Sequence, residues 1–87
     1  MDFEFDPAKS AANKAKHGLD FAEAQAMWQD PDRLTAPSAY PGEPRQLVIA
    51  RIGEGHWTAV ITWRGNRIRI ISVRPSRDNE QKLYEKK

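Results

Sequence analysis

An alternation of apolar and acidic residues at the start of the chain predicts a short β-strand. Successive side chains of a strand point to opposite faces. Phe3 and Phe5 therefore share one face, and the carboxylates of Asp2, Glu4 and Asp6 share the other. The alternation stops at Pro7, so we expect a strand of a few residues with one buried face.

The next segment predicts a helix over Pro7–His17. Asp6 is a favourable N-cap, and proline is favoured in the first turn of a helix. The segment is rich in Ala and Lys and contains no breaker before Gly18, a favourable C-cap. The helix is therefore expected to end at His17.

A second helix is predicted to begin at Asp20. Glu23 follows three residues later and completes a capping box. The pattern ends near Asp30 and Pro31. The residues spaced to face the core are Phe21, Ala24 and Met27 or Trp28.

Residues 30–44 are predicted to form a surface loop, because four prolines and Gly42 interrupt both helix and strand hydrogen bonding. Three runs of β-branched and aromatic residues follow, "RQLVIARI" (45–52), "HWTAVITW" (56–63) and "RIRIISV" (67–73). Short Gly-containing segments separate them, so we expect two hairpins and three antiparallel strands.

The end of the chain predicts a final helix. Ser76 can cap a helix of about ten residues that includes Leu83 and Tyr84. The predicted order is β-α-α-β-β-β-α. The fold class is α+β, with an antiparallel sheet, the two N-terminal helices packed on one face and a C-terminal helix.

Composition limits the possible classes of protein. A chain of 87 residues predicts a single domain over 1–87, and a hydrophobic content of 39% favours a stabilising partner. The absence of cysteine excludes disulfides and thiolate metal sites. No apolar run is long enough for a membrane span or a signal peptide, so we expect a cytoplasmic protein without membrane contact.

Charge is distributed unevenly along the chain. Residues 1–44 hold eight acidic and four basic residues, whereas residues 45–87 hold four acidic and ten basic residues. Between Gly55 and Arg77 there is no acidic residue, and the arginines of that segment are Arg64, Arg67, Arg69, Arg74 and Arg77. A positive surface of this kind suits phosphate and predicts nucleic-acid binding.

The last predicted strand has apolar residues on both faces. Strict alternation places Ile68, Ile70 and Ser72 on one face and Arg67, Arg69, Ile71 and Val73 on the other. We therefore expect the early helices to cover one face, and the last helix or a partner to cover part of the other. Arg64 and Arg74 lie at strand ends, where a scaffold can present charge to a ligand.

Both ends of the chain resemble a known family. "FEFDPAKSAANKAKHGLDFAEA" and "RIRIISVRPSRDNEQKLYE" resemble the BrnT toxins of bacterial type II toxin-antitoxin pairs, a branch of the RelE superfamily of ribonucleases. The residues that carry the resemblance are Phe3 to Asp6, Lys16-His17-Gly18, Ile68 to Arg74, Glu80 and Tyr84.

The resemblance implies a RelE-like fold and an endoribonuclease that cuts free RNA and arrests growth. It also implies a BrnA-like, DNA-binding antitoxin that neutralises the toxin and represses the operon with it. Because such antitoxins are usually dimers, a heterotetramer bound to operator DNA is expected. No cofactor or metal is expected, since Asp2, Glu4 and Asp6 on one strand form a charged face more readily than a metal site.

Three residues are predicted to be catalytic: His17, Arg64 and Arg74. The dipole at the end of the first helix favours a positively charged His17, which suits a general acid, although a C-cap is an equal alternative. Arg64 and Arg74 could clamp the scissile phosphate, or serve only solubility.

Further residues are predicted to bind substrate or support the site. Arg69 could instead pair with Glu80 or Glu85, and Tyr84 could pack rather than contact RNA. The tryptophans Trp28, Trp57 and Trp63 are expected to fill the core, and His56 receives no role. The residues of this group are Lys16, Arg69, Arg77 and Tyr84 for substrate binding and Glu80 for support.

Two other functions remain open from the residues alone. The positive sheet could serve mainly to bind an acidic antitoxin. It could also bind nucleic acid without cutting it, because arginines alone give salt-dependent affinity for phosphate.

Overall fold

In a computed structural model, residues 1–38 and 42–86 form an α+β fold built on a five-stranded mixed sheet. The strand order across the sheet is β1-β5-β4-β3-β2. In chain order, the elements are β1 (Asp2–Glu4), α1 (Pro7–His17), a 3₁₀ helix (Glu23–Gln29), β2 (Leu34–Pro37), β3 (Gln46–Ile52), β4 (Gly55–Arg64), β5 (Arg67–Pro75) and α2 (Asp78–Glu85).

Helix α1 has the predicted bounds and both predicted caps. The Asp6 carboxylate accepts a hydrogen bond from the Ala8 N–H at 2.8 Å. Gly18 adopts φ 81°, which favours glycine, and its N–H donates to the Lys14 carbonyl. The sequence thus correctly located the point at which the chain leaves α1.

The second helix begins with the predicted capping box but has a different geometry. The Asp20 N–H donates to Glu23 Oε1 at 3.0 Å, and the Glu23 N–H donates to Asp20 Oδ1 at 2.7 Å. The helix that follows is a 3₁₀ helix rather than an α-helix. Its predicted core residues Phe21, Ala24 and Met27 are fully buried.

The predicted loop over residues 30–44 is wrong in part, because Leu34–Pro37 forms β2. This strand pairs antiparallel with β3 at the edge of the sheet. Prolines are tolerated at such an edge, where no further strand needs their hydrogen bonds, so Pro37 ends the strand without preventing it. Residues 39–41 of the predicted loop lie outside the described residues.

The three predicted antiparallel strands are confirmed as β3, β4 and β5, joined by two-residue turns. The sheet as a whole is mixed, however, since β1 pairs in parallel with β5. This pairing joins residues about 65 positions apart and places Phe3 beside Ile68. Only packing of the folded chain determines such a contact.

A β-bulge at Ile71 changes the predicted faces of β5. Val60 pairs with Ser72, but the next residue of β4, Ile61, pairs with Ile70. The extra residue reverses the alternation beyond it. Val73 therefore joins Ile68 and Ile70 in the core under α1 and the 3₁₀ helix, and the predicted placement of Ser72 on that face is wrong.

Helix α2 covers part of the opposite face of the sheet, where Glu80 accepts from the Thr58 hydroxyl; the sequence alone leaves open whether this helix or a partner does so. It has eight residues, and its N-cap is Arg77 rather than the predicted Ser76. The Ser76 hydroxyl is instead within 2.8 Å of the Thr58 hydroxyl on β4. No helix within residues 1–38 and 42–86 has the length and apolarity needed to span a membrane.

Candidate active site between helix α1 and strand β5

A pocket of about 350 Å³ lies between α1 and the end of β5. Lys16 and His17 line it from the last turn of α1, and Arg74 lines it from β5. Lys16 and His17 are adjacent in the sequence, and the distant Arg74 joins them around this pocket. The pocket is also lined by Lys9, Ala12, Asn13, Phe21, Ile71, Ser72 and Val73.

The α1 side of the pocket follows from helix periodicity. Asn13 and His17 are four residues apart and therefore lie on the same face of α1. Lys16 and His17 sit at the C-terminal end, where the helix dipole favours positive charge. The His17 imidazole is partly buried and lines the pocket from α1.

The β5 side of the pocket is shaped by the bulge and by an ion pair. Arg74 and Glu80 form a bidentate pair, with Nη1 donating to Oε1 at 2.7 Å and Nη2 donating to Oε2 at 2.8 Å. Glu80 is only 4% exposed, so this pair is shielded from water on the carboxylate side. Its geometry holds the guanidinium in one orientation.

Four hydrogen bonds stabilise the Glu80 carboxylate. Besides the two from Arg74, the Arg77 N–H donates at 2.8 Å and the Thr58 hydroxyl at 2.9 Å. The hydrogen bonds from Arg74 outweigh the effect of burial and, with the other two donors, lower the pKa of Glu80 to about 2. The hydrogen bond to Glu80 in turn raises the pKa of Arg74.

Arg74 keeps donors for a ligand despite this pair. A guanidinium has five N–H groups, and Glu80 takes one from each terminal nitrogen. Among the described residues, the other acceptor within reach is the Pro75 carbonyl, 3.5 Å from Nη1. Nε–H and the second Nη2 hydrogen thus remain as a fork that matches two phosphate oxygens.

The pocket therefore combines a histidine with cations suited to phosphate, and comparison with known families agrees with that chemistry. Residues 5–80 match the family model described as "Ribonuclease toxin, BrnT, of type II toxin-antitoxin system". The chain belongs to the BrnT family of ribonuclease toxins. Membership confirms the resemblance and implies an RNA target and an antitoxin partner. No curated protein matches the chain.

Arg64 lies far from the other predicted catalytic residues of this BrnT-family chain. It pairs with Arg67 beside the β4–β5 turn, whereas Arg74 pairs with Thr58 near the other end of β4. Six residues of strand separate the two positions, about 20 Å at the usual rise. The structure does not bring Arg64 and Arg74 to one phosphate.

The predicted pairing of Arg69 with Glu80 or Glu85 is wrong. Arg69 Nη1 instead donates to Glu4 Oε2 at 2.8 Å. The parallel register of β1 and β5 places these two residues side by side, a contact that the sequence did not indicate. Arg77, the N-cap of α2, is exposed three residues beyond Arg74.

Tyr84 belongs to a different part of the surface. Its hydroxyl donates to Asp30 Oδ2 at 2.6 Å, and its ring packs edge-on against His56, with centroids 5.4 Å apart. Tyr84 and Asp30 line a separate pocket of about 480 Å³ with Arg51. This cluster was not predictable, since nothing in the sequence links residues 30, 56 and 84.

Hydrogen bonding shifts the pKa values of both Tyr84 and Asp30. The hydrogen bond to Asp30, together with burial, raises the pKa of Tyr84 to about 12. Burial opposes ionisation of Asp30, but donors from Tyr84 and from the Arg51 and Asp32 backbone outweigh it and lower the Asp30 pKa. The pair thus favours a neutral tyrosine beside a charged aspartate.

The prediction that all three tryptophans fill the core is wrong for Trp63. Trp28 and Trp57 pack against the core, but Trp63 is 50% exposed, with its indole N–H donating to Gln46. Trp63 lies where β4 extends beyond its pairing with β3, so little covers the ring. Within the described parts of the chain, no group of three or more His, Asp or Glu residues could hold a metal ion.

Proposed function

We propose that this BrnT-family chain is a metal-independent endoribonuclease whose active centre is the pocket between α1 and β5. The observation that carries the proposal is the meeting of Lys16 and His17 with Arg74 around one pocket. These groups match what RNA cleavage without a metal requires: an acid–base group and cations that stabilise negative charge on phosphate.

The proposed reaction is an internal transfer within RNA. The ribose 2′ oxygen bonds to the adjacent phosphorus, the bond from phosphorus to the 5′ oxygen breaks, and a net proton passes from the former oxygen to the latter. The products are a 2′,3′-cyclic phosphate and a 5′-hydroxyl. Negative charge grows on the non-bridging oxygens in the transition state, so cations that contact them accelerate the reaction.

Three residues that line the pocket, together with Glu80, have roles in this proposal. Protonated His17 donates its proton to the leaving 5′ oxygen. Arg74 presents its remaining N–H fork to the phosphate, and Lys16 adds a nearby positive charge. Glu80 orients Arg74 and does not touch the substrate.

The remaining basic residues contribute to binding rather than to chemistry. Arg77 is exposed three residues beyond Arg74, and Arg64 lies at the far hairpin, so both can contact phosphates of a longer RNA. Arg69 is paired with Glu4, so it offers less charge to RNA. A contact of Tyr84 with RNA would have to compete with its hydrogen bond to Asp30.

We further propose the assembly that the family suggests. The chain would fold as one RelE-like unit over 1–87 and act on free RNA in the cytoplasm. A BrnA-like antitoxin dimer would hold two toxin copies and repress the operon with them on operator DNA. Membership of a type II toxin-antitoxin family supports this partner.

Incubation of the purified, antitoxin-free chain with total RNA in EDTA tests the proposal. Three variants accompany it: His17→Ala, Arg74→Ala and the control Arg51→Ala, an exposed arginine in the other pocket. Circular dichroism verifies that all are folded. We expect the parent and Arg51→Ala to cleave RNA to 2′,3′-cyclic phosphate ends, and the other two to lose at least about 100-fold in rate.

Other outcomes would refute specific parts of the proposal. Intact RNA with salt-sensitive binding would leave a nucleic-acid-binding module without catalysis. Cleavage only after a divalent metal is added would refute metal independence. Equal loss in Arg51→Ala and Arg74→Ala would mean that general charge, rather than this pocket, supports activity.

A further inference from the structure

We infer that Asn13 is a positioning residue that sets the placement of His17 against Arg74, an inference that rests on the proposed function. Asn13 lies on α1, one helical turn before His17, and lines the same pocket. Its side chain is partly buried and bonded at both ends to backbone groups.

The two backbone partners of Asn13 flank the two functional residues. The Val73 N–H donates to Asn13 Oδ1 at 3.3 Å, and Val73 directly precedes Arg74. Asn13 Nδ2 donates to the Leu19 carbonyl at 2.7 Å, two residues after His17. One amide therefore ties the end of α1 to the strand that carries Arg74.

The strand needs this link because its edge is open there. β1 pairs with β5 only at Arg67–Arg69, so Val73 has no β1 residue opposite it. On its other side Val73 stays paired with Ala59 of β4, and the bulge at Ile71 lies two residues earlier. Bulges commonly re-aim side chains near active sites, and here Asn13 takes the place of a neighbouring strand.

The chemistry of an amide assigns Asn13 to positioning rather than to proton transfer. It neither gains nor loses a proton near neutral pH, and both its oxygen and its nitrogen are bonded to backbone. Small displacements of catalytic groups are costly, since a 1 Å error can reduce a rate by about 100-fold. Asn13 therefore acts through His17 and Arg74.

Steady-state cleavage by Asn13→Ala tests the inference, with Ser10→Ala as a matched control. Ser10 lies on α1 one turn earlier and is buried, and its hydroxyl accepts from the Phe21 N–H at 2.9 Å, so its hydrogen bond leads to the segment after α1 rather than to β5. Each variant loses side-chain hydrogen bonding between α1 and backbone, two bonds in Asn13→Ala and one in Ser10→Ala. Rates are divided by the folded fraction, which is measured by urea unfolding.

We expect Asn13→Ala to reduce kcat by about 10- to 100-fold with KM within about twofold, while Ser10→Ala keeps the parental kcat. In a His17→Ala background, removal of the Asn13 amide should reduce kcat by a smaller factor than it does in the parent, because one of the two groups through which it acts is gone. Asn13→Asp, which keeps the acceptor for Val73, should recover part of the rate.

Three results would overturn the inference. They are a parental kcat in Asn13→Ala, an equal loss in Ser10→Ala, or a full additional loss in the His17→Ala background. Failure of the proposed function looks different: the parent itself would not cleave RNA, or His17→Ala and Arg74→Ala would cleave at the parental rate. The first set refutes Asn13 positioning alone, and the second refutes the active centre together with it.

Discussion

Arg74 and Glu80 show how one residue pair links stability to chemistry. The Glu80 carboxylate is buried and accepts four hydrogen bonds, two of them from Arg74. The other two come from the Thr58 hydroxyl on β4 and the Arg77 N–H at the start of α2, so these elements fix the carboxylate that orients Arg74. A lone arginine on a strand would sample many rotamers. The pair removes that freedom before a substrate arrives.

Glu80→Gln should destabilise the protein by about 3 kcal/mol at pH 7, because it leaves Arg74 partly buried without its counter-charge. The pH dependence follows from the lowered pKa. The pair stabilises the folded state above about pH 4.5, and its contribution is lost as the pH falls through about 2. Urea unfolding between pH 2 and 7 measures both effects.

Glu85→Gln, an exposed carboxylate on the same helix, is the control and should keep the parental acid profile. The expectation fails if the parent and Glu80→Gln lose stability in parallel between pH 4.5 and 2. In that case other carboxylates would dominate the acid transition.

At the scale of elements, β5 carries two separate basic ends. Its start forms a hairpin turn with β4, where Gly65 at φ 64° allows a two-residue connection and Arg64 faces Arg67. Its other end passes through the bulge to Arg74. Within the described residues, Arg64 and Arg67 form no salt bridge, whereas Arg74 is paired.

Arg64→Ala should therefore raise KM for RNA a few-fold and leave kcat within about twofold of the parent. The RNA-binding constant should also depend less steeply on salt. Loss of one phosphate contact should reduce the magnitude of the slope of its logarithm against log salt concentration by about 0.7, the value per contact for single strands. Cleavage kinetics and binding titrations at several salt concentrations measure these changes. A fall in kcat as large as that of Arg74→Ala would instead place Arg64 at the scissile phosphate.

On the scale of the whole molecule, two layers cover the two faces of the sheet and are tied together at Asp30. This residue ends the 3₁₀ helix, and its carboxylate accepts from the backbone N–H of Arg51 on β3 and from Tyr84 on α2. Asp30 thus joins the layer beneath the sheet to the helix above it. Tyr84 supplies the α2 side of this connection through its hydroxyl hydrogen bond to Asp30.

Tyr84→Phe should lower the free energy of unfolding by about 1.5 to 3 kcal/mol, the usual value of a hydrogen bond to a charged group. Because the folded pKa of Tyr84 is raised, this stabilisation is present below about pH 10 and is lost as the pH rises through about 12. Urea unfolding at pH 7 and above pH 10 measures it.

The same variant should cleave RNA at the parental rate, since Tyr84 lies in a different pocket from His17 and Arg74. Asn79→Ala, exposed on α2, serves as the control for stability. Weaker RNA binding with unchanged stability would contradict this expectation and support the substrate contact that the sequence suggested for Tyr84.

Local signals in the sequence determined much of the fold and the family. Caps and breakers act over a few residues, so α1, its ends and both hairpin turns were predictable. Alternation identified β1, and runs of β-branched and aromatic residues identified β3, β4 and β5. The motifs around His17 and Arg74 identified the BrnT family, which the family match confirms.

Tertiary structure alone decided which distant residues meet. The parallel pairing of β1 gave Arg69 its partner Glu4, and the bulge at Ile71 moved Val73 into the core. The separation of Arg64 from Arg74 and the link from Asn13 to β5 also arise from pairing across the sheet. Contacts between residues this far apart depend on strand order and register, which local propensity does not encode.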